Sequence, residues 1–187
     1  MADSKNGQPG ADVAPPGARE RLHAPGSHPR VAPMQFFHEL MDYVDFTDED
    51  ARRMRQLEEV VAPIYDDVVE AFYQSLWSTP RTRVVFEGPE QMDRLRRVLR
   101  TWLEELFAGP YDQDYFARRH HIGKVHVDVG LLPHFMFGAM NVIRNRLVGH
   151  LLISKHFDGQ EALRRRSVET VEKMLDLELT IMVQSYW

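Results

Sequence analysis

The sequence of 187 residues contains no cysteine. This absence excludes disulfide bonds, thiolate metal sites, iron–sulfur clusters and cysteine nucleophiles, and it fits a reducing compartment. Long apolar runs are also missing, because no stretch approaches the roughly 18 residues that a membrane-spanning helix needs. The N-terminus lacks the apolar core of a signal peptide. We therefore expect a cytoplasmic protein without a membrane partner.

Positive charge is in short supply as well. Lysine and arginine number 23 against 28 aspartate and glutamate residues, which gives a formal net charge of −5 and a pI near 6.0. Nucleic-acid-binding surfaces are basic, so we do not expect nucleic acid as a partner. Hydrophobic residues make up 43% of the chain, and a chain of this length can bury a sizeable core.

The first 33 residues have little that could form such a core. They hold six of the eleven prolines together with four glycines, and few large apolar side chains. Such a segment cannot bury enough surface to offset the entropy that it would lose on ordering. We predict a disordered tail over residues 1–33 and one folded domain over residues 34–187.

Strand-like alternation is absent from the folded part, whereas helical spacing is widespread. Thr47 followed by three acidic residues is typical of a helix N-cap, and Pro133 suits the first turn of another helix. The clearest helix shows apolar residues at i, i+3, i+4 and i+7 spacing. They are Met92, Leu95, Val98, Leu99, Trp102, Leu103 and Leu106. The sequence predicts an all-α fold of about seven or eight helices.

The last two helices carry more apolar surface than one core requires. In the final one, Met174, Leu177 and Ile181 lie off the main apolar stripe. A second apolar face on a helix favours a subunit interface. The alternative is a helix buried on several sides within its own domain.

One histidine, His126, stands out because its helical segment presents it among apolar or small neighbours. Ile122, Gly123 and Arg119 share its face. With a reference pKa of about 6.5, imidazole is mostly neutral at pH 7, which is the form that binds a metal. We expect Gly123 to let a flat ring approach the backbone closely. The alternative is a buried histidine that only forms hydrogen bonds, and this residue alone does not decide between them.

The segment around His126 and two earlier blocks together resemble a known family. The three blocks are Val69-Glu70-Ala71-Phe72-Tyr73; Asp93-Arg94-Leu95 with Leu106-Phe107-Ala108-Gly109 and Tyr115; and Arg118/Arg119-x-x-Ile122-Gly123-x-x-His126-x-x-x-Gly130-Leu131-x-Pro133. In this order they resemble the globin domains of bacterial globin-coupled sensors and their single-domain relatives. The resemblance covers about residues 45–185.

This resemblance implies a globin fold with an extra N-terminal helix, a bound haem of the b type, and a homodimer formed through the last two helices. It assigns the metal to His126, because the histidine of this motif is the family's proximal haem ligand. It implies that Tyr73, 53 residues earlier, lies beside the gas-binding site. The candidate cofactor-binding residues are His126, Tyr73, Leu95, Val98, Leu99, Ile122, Val125 and Met136.

Two positions depart from the family pattern. Some relatives place a polar group in the distal region, where this chain has Val98, so Tyr73 would be the sole distal donor. Relatives often carry a tyrosine that supports the proximal histidine, where this chain has Met136. A methionine has no O–H, so any hydrogen bond to the second imidazole nitrogen of His126 must come from elsewhere. For Tyr73, Leu95 and Val98, ordinary core packing is the alternative role.

The resemblance implies a sensor of dioxygen, CO or NO, either standing alone or separated from its output domain. A haem enzyme of the NO dioxygenase or peroxidase type is the alternative. Peroxide cleavage usually needs a distal acid–base group, and the sequence shows no histidine or arginine with the right placement. A haem-free helical dimerisation module is the third hypothesis.

Overall fold

A computed structural model of the chain describes residues 33–84, 86 and 88–186. The predicted tail over 1–33 therefore lies outside the described residues, apart from Pro33, which begins the first helix. None of the described helices combines the length and the apolar character that spanning a bilayer requires. The α-helices are α1 (Pro33–Tyr43), α2 (Asp48–Val61), α3 (Tyr65–Ser78), α4 (Pro80–Arg83), α5 (Pro89–Ala108), α6 (Gln113–Asp128), α7 (Pro133–Ile153) and α8 (Glu161–Val183).

Local side-chain bonds explain where two of these helices begin. In α2 the Thr47 hydroxyl accepts a hydrogen bond from the Asp50 backbone N–H at 3.3 Å, and the Asp50 carboxylate accepts one from the Thr47 N–H at 3.0 Å. This reciprocal capping box satisfies two backbone donors. In α6 the Asp112 carboxylate accepts from the Tyr115 N–H at 2.9 Å. Gly130, with a φ of 72°, follows α6 in the left-handed conformation that favours glycine.

The predicted all-α architecture is confirmed for the described residues, and α8 lies at its centre. This helix packs against α2, α6 and α7, while α3 packs against α5 and α7. Short 3-10 turns at Ala62–Ile64, Lys155–Phe157 and Gln184–Tyr186 complete the described helical elements. Helices α5 and α6 follow one another in the chain, and together they carry most of the candidate cofactor-binding residues.

The surplus apolar surface predicted for the final helix has a different explanation from the one expected. Met174, Leu177 and Ile181 are buried within the chain itself, because α8 contacts neighbours on three sides. These residues therefore do not indicate a subunit interface. Large apolar side chains that do remain exposed include Phe137, Leu152 and Ile153 of α7.

Candidate functional site

His126 lies in the last turn of α6, and its ring is partly buried. Its Nδ1 atom is buried and has no hydrogen-bond partner among the residues that the structure describes. Burial lowers the pKa of His126 below its usual value, because desolvation disfavours the charged form. The imidazole is therefore neutral at pH 7 and can act as a metal ligand.

Two apolar side chains close to His126 on α6 are incompletely covered. Ile122 packs partly against the core, whereas Val125 is 43% exposed. Beyond the helix end, Val129 and Leu132 are each about half exposed. A run of uncovered apolar side chains next to a buried, unpartnered imidazole is typical of a surface that a ligand covers.

Helix α5 carries the other group of candidate residues. We call Leu95, Val98 and Leu99 the α5 wall of the proposed site, and Ile122, Val125 and His126 the α6 wall. Leu95, Val98 and Leu99 lie on one face of this helix, at i, i+3 and i+4 spacing. Leu95 and Leu99 are partly buried against the core, and Val98 is 53% exposed. The wall on α5 thus has the same character as the wall on α6: it is apolar, rigidly helical and only partly covered by the protein's own packing.

Tyr73 is buried in α3, with ring contacts to Phe72 and Phe86. The guanidinium of Arg96 in α5 lies 5.6 Å from the centre of the Tyr73 ring. Burial raises the pKa of the Tyr73 phenol, and the charge of Arg96 lowers it to a smaller extent. The hydroxyl therefore stays protonated at neutral pH and can donate a hydrogen bond.

A cleft of about 430 Å³ borders Tyr73 between α3 and α5. Its other walls include Trp77 and Met92 together with Arg96. Among the predicted site residues, Tyr73 is the one that lines this cleft. The structure thus places Tyr73 beside Met92 and Arg96 of α5, in a cleft whose lining does not include Leu95, Val98 or Leu99.

Met136, the residue that replaces a tyrosine of the family pattern, is buried in the first turn of α7. It offers no hydrogen-bond donor or acceptor comparable to a hydroxyl. The unpartnered Nδ1 of His126 agrees with the expectation that Met136 cannot support it.

The prediction for Gly123 was wrong. A Cβ atom placed on Gly123 would lie 2.2 Å from the Met182 carbonyl oxygen and 2.6 Å from the Ser185 hydroxyl. Glycine is therefore needed for the close approach of α6 to the end of α8, and this face of α6 is not open to a flat ring. The Ser185 hydroxyl also donates to the His120 carbonyl at 3.1 Å, which reinforces the same contact.

A buried polar cluster that we did not predict joins α5, α6 and α8. At its centre the Glu178 carboxylate in α8 accepts hydrogen bonds from Trp102 Nε1 of α5 at 3.0 Å, from Arg119 Nε of α6 at 3.0 Å, and from the Tyr115 hydroxyl of α6. Arg119 also donates to Glu105 in α5 at 2.7 Å. A signal was present in the sequence, since Glu178 falls between Leu175 and Met182 on an apolar stripe and Arg119 falls on the stripe of His126.

These side chains fit a haem. A flat, largely apolar group needs a neutral imidazole on a rigid element and apolar side chains on both sides. The described residues provide these features through His126 and Ile122 on α6, and through Leu95 and Val98 on α5. The buried Nδ1 without a partner shows that the ring of His126 is not held there by hydrogen bonds of its own.

Comparison with known proteins places this arrangement in a family. A family model described as Protoglobin matches residues 34–187. The chain belongs to the protoglobin family. Membership of a globin family implies a haem cofactor.

Solved structures agree with the protoglobin assignment. The globin domain of a Geobacter sulfurreducens globin-coupled sensor is 32% identical to this chain, with a TM-score of 0.74, and the match covers 80% of this chain and 96% of that domain. The globin domain of E. coli DosC, solved in ferric and ferrous forms, has a TM-score of 0.68 in both cases. Its identity of 13% shows the fold alone. The resemblance to globin-coupled sensors and the globin fold are thus confirmed.

A sequence relative of this protoglobin is the haem-based aerotactic transducer HemAT of Halobacterium salinarum. It is 36% identical over 75 residues, which are 40% of this chain and 15% of the transducer. The matched segment is therefore a small part of that protein's length.

Proposed function

We propose that this protoglobin is a haem-based gas-sensing domain in which His126 coordinates the iron of a b-type haem. The observation that carries the proposal lies on α6. There the neutral imidazole of His126, whose buried Nδ1 has no hydrogen-bond partner among the described residues, lies near the partly uncovered apolar side chains of Ile122 and Val125. Bound haem would supply an iron atom that takes up dioxygen, CO or NO reversibly. The side chains on α5 and α6 would exclude water from both of its faces.

Tyr73 is the proposed donor to the bound gas. Its hydroxyl forms no hydrogen bond within the described residues, and burial keeps it protonated. A hydrogen bond to a ligand with partial negative charge contributes roughly 1.5–3 kcal/mol, which corresponds to roughly ten- to a hundredfold slower ligand loss. Val98 cannot donate a hydrogen bond, so the slower loss of the bound gas would depend on Tyr73.

We further propose that the domain acts in the cytoplasm as a homodimer formed through α7 and α8, and that the signal passes to an output domain. The exposed apolar side chains of Phe137, Leu152 and Ile153 on α7 support such an interface. The relatives point the same way, since one is named a transducer and another a globin-coupled sensor. Sedimentation equilibrium of the purified protein tests the dimer, and a monomer at all concentrations would refute it.

Visible spectra of the purified protein test the haem and its ligand. Wild type and His126→Ala would be compared in the ferric, ferrous and ferrous-CO states. We expect a Soret band that shifts with CO in the wild type and is lost or strongly altered in His126→Ala. His121→Ala is the matched control, because His121 is exposed on the same helix. A wild-type protein that takes up no added haem would refute the proposal, and a normal spectrum of His126→Ala would refute the role of His126.

A further inference from the structure

Glu178 is a carboxylate without any solvent exposure, at the point where α5, α6 and α8 meet. Its Oε2 atom accepts from Trp102 Nε1, and its Oε1 atom accepts from Arg119 Nε and from the Tyr115 hydroxyl. Both oxygens of one α8 side chain thus bind donors from two other helices. A bond pattern of this kind fixes three helices relative to one another in a way that apolar packing, which is non-directional, does not.

The burial of Glu178 and Arg119 as a pair makes these bonds costly to break. Arg119 is buried as well, and its guanidinium lies 4.5 Å from the centre of the Tyr115 ring. Burial raises the pKa of the Glu178 carboxyl, and Arg119, Tyr115 and Trp102 oppose that rise. Removing one partner from a buried ion pair leaves an uncompensated charge and is strongly destabilising.

The position of this cluster relative to the proposed haem site gives it a second role. Trp102 lies one turn after Val98 and Leu99 on α5. Arg119 lies two turns before His126 on α6, on nearly the same stripe. The two walls are therefore joined at one end through a single carboxylate, while their other ends carry the partly uncovered apolar side chains.

We propose that Glu178 is a positioning residue that fixes the separation of α5 and α6, orients His126 through α6, and makes α8 respond to any shift of that helix. The inference rests on the proposed haem function for His126, but its mechanical part concerns this chain's own helices. Arg119 connects Glu178 to α6, and Trp102 connects it to α5. The clamp of Gly123 against Met182 keeps the following turn of α6 on α8 as well.

The mechanical part can be tested without haem, because the chain contains no cysteine. Cysteines introduced at Arg97 of α5 and Lys124 of α6, both exposed, take spin labels for pulsed electron–electron distance measurements. We expect one narrow distance distribution in the wild type and a distribution roughly twofold broader in Glu178→Gln, because the charge that holds Arg119 is removed. Asp176→Asn is the control, since Asp176 lies on α8 like Glu178 and the substitution weakens only a surface pair with Arg144 of α7.

The functional part is read in the haem-loaded protein. In Glu178→Gln we expect a shifted or broadened Fe–His stretching band in resonance Raman spectra, and haem loss to excess apomyoglobin faster by about tenfold, the size of effect seen for groups that support a metal ligand. Asp176→Asn should match the wild type in both. Should Glu178→Gln fail to fold, Trp102→Phe removes the indole N–H and part of the ring but leaves the Glu178–Arg119 pair, and it should give smaller changes in the same direction.

The outcomes separate the two proposals. An unchanged distance distribution together with an unchanged Fe–His band in a folded Glu178→Gln or Trp102→Phe protein would overturn the role of Glu178, even if haem binds normally. A broadened distribution in a protein that binds no haem would support the mechanical role of Glu178 and refute the haem function. Changes confined to Glu178→Gln and Trp102→Phe, and absent from Asp176→Asn, would support both.

Discussion

The backbone of Gly123 in α6 touches the backbone of Met182 in α8 so closely that a Cβ on Gly123 would lie 2.2 Å from the Met182 carbonyl oxygen. Real Cβ atoms do not approach other atoms to this distance. The Met182 carbonyl oxygen belongs to the main chain, so it cannot rotate away as the end of a flexible side chain could. Helix α6, which carries His126, therefore packs this closely against α8 because residue 123 has no side chain.

Replacing Gly123 by alanine should separate α6 from α8. We expect Gly123→Ala to lower the free energy of unfolding by about 1–3 kcal/mol or more, the usual cost of forcing extra volume into a packed site. Urea unfolding followed by circular dichroism measures it.

Gly138→Ala is the matched control for this substitution. Gly138 is also helical, and a Cβ there would meet nothing within 4 Å. Alanine is a better helix former than glycine by roughly 0.5–1 kcal/mol, so this variant should be slightly more stable than the wild type. Equal effects of the two substitutions would contradict the steric account of Gly123.

Removing the Tyr73 hydroxyl should accelerate loss of dioxygen from the haem-loaded protein. We expect Tyr73→Phe to raise the dissociation rate of dioxygen by roughly ten- to a hundredfold, because one hydrogen bond to a partly charged ligand is lost. The rate for CO, which carries less negative charge when bound, should change much less. Stopped-flow displacement measures both rates. If both gases respond alike, Tyr73 does not act as the donor.

Tyr65, at the start of the same helix, provides a contrasting tyrosine. Its hydroxyl is buried, and no described residue forms a hydrogen bond with it. A buried polar group without a partner is destabilising, so Tyr65→Phe should leave the free energy of unfolding unchanged or raise it by up to about 1 kcal/mol. Dioxygen dissociation should stay at the wild-type rate. A loss of stability above 1 kcal/mol would show that this hydroxyl has a partner in solution.

Asp50 should make the protein sensitive to acid. Burial alone raises the pKa of this carboxyl, but bonds from Thr170, Thr47 and Lys173 more than offset burial, so the pKa lies below its ordinary value. The unfolded chain then takes up a proton at a higher pH than the folded protein does. The resulting stabilisation is fully present above the unfolded pKa of about 3.9 and is lost as pH falls through the lower folded pKa.

We expect Asp50→Asn to lower the free energy of unfolding at pH 7 by about 2 kcal/mol, since it weakens hydrogen bonds to a charged group. The difference from the wild type should shrink as the pH is lowered below about 4. Urea titrations at a series of pH values measure it, with the exposed Asp48→Asn as a control. A difference that stays constant down to pH 2 would rule out the titration of Asp50 as its cause.

Much of the fold could be predicted because helix ends depend on local chemistry. Thr47 and Asp112 each cap a helix by bonding to a backbone N–H three residues ahead, and such a bond is visible in sequence. Pro133 begins α7 for a similarly local reason. The shared face of Arg119, Ile122 and His126 follows from helical spacing in the same way.

The rest of the site depends on contacts between residues far apart in the chain. Glu178 binds Arg119 across 59 positions and Trp102 across 76, and no periodicity reveals such partners. The same limit explains the error at Gly123, because the small residue faces α8 and its neighbour could not be read from α6 alone. It also explains why the apolar surplus of α8 favours a subunit interface in the sequence, although the structure buries these side chains within the chain.

The short turn Gln184–Tyr186 is attached to the segment around His126 by two hydrogen bonds whose acceptors are main-chain carbonyls. Ser185 donates to the carbonyl of His120 at 3.1 Å, and the Tyr186 hydroxyl donates to the carbonyl of Leu131 at 2.6 Å. Both acceptors are main-chain atoms, on either side of His126 in the chain. Substitution of residue 120 or 131 therefore leaves the acceptor of each bond in place, whereas Ser185 and Tyr186 cannot lose their hydroxyls without losing the bond.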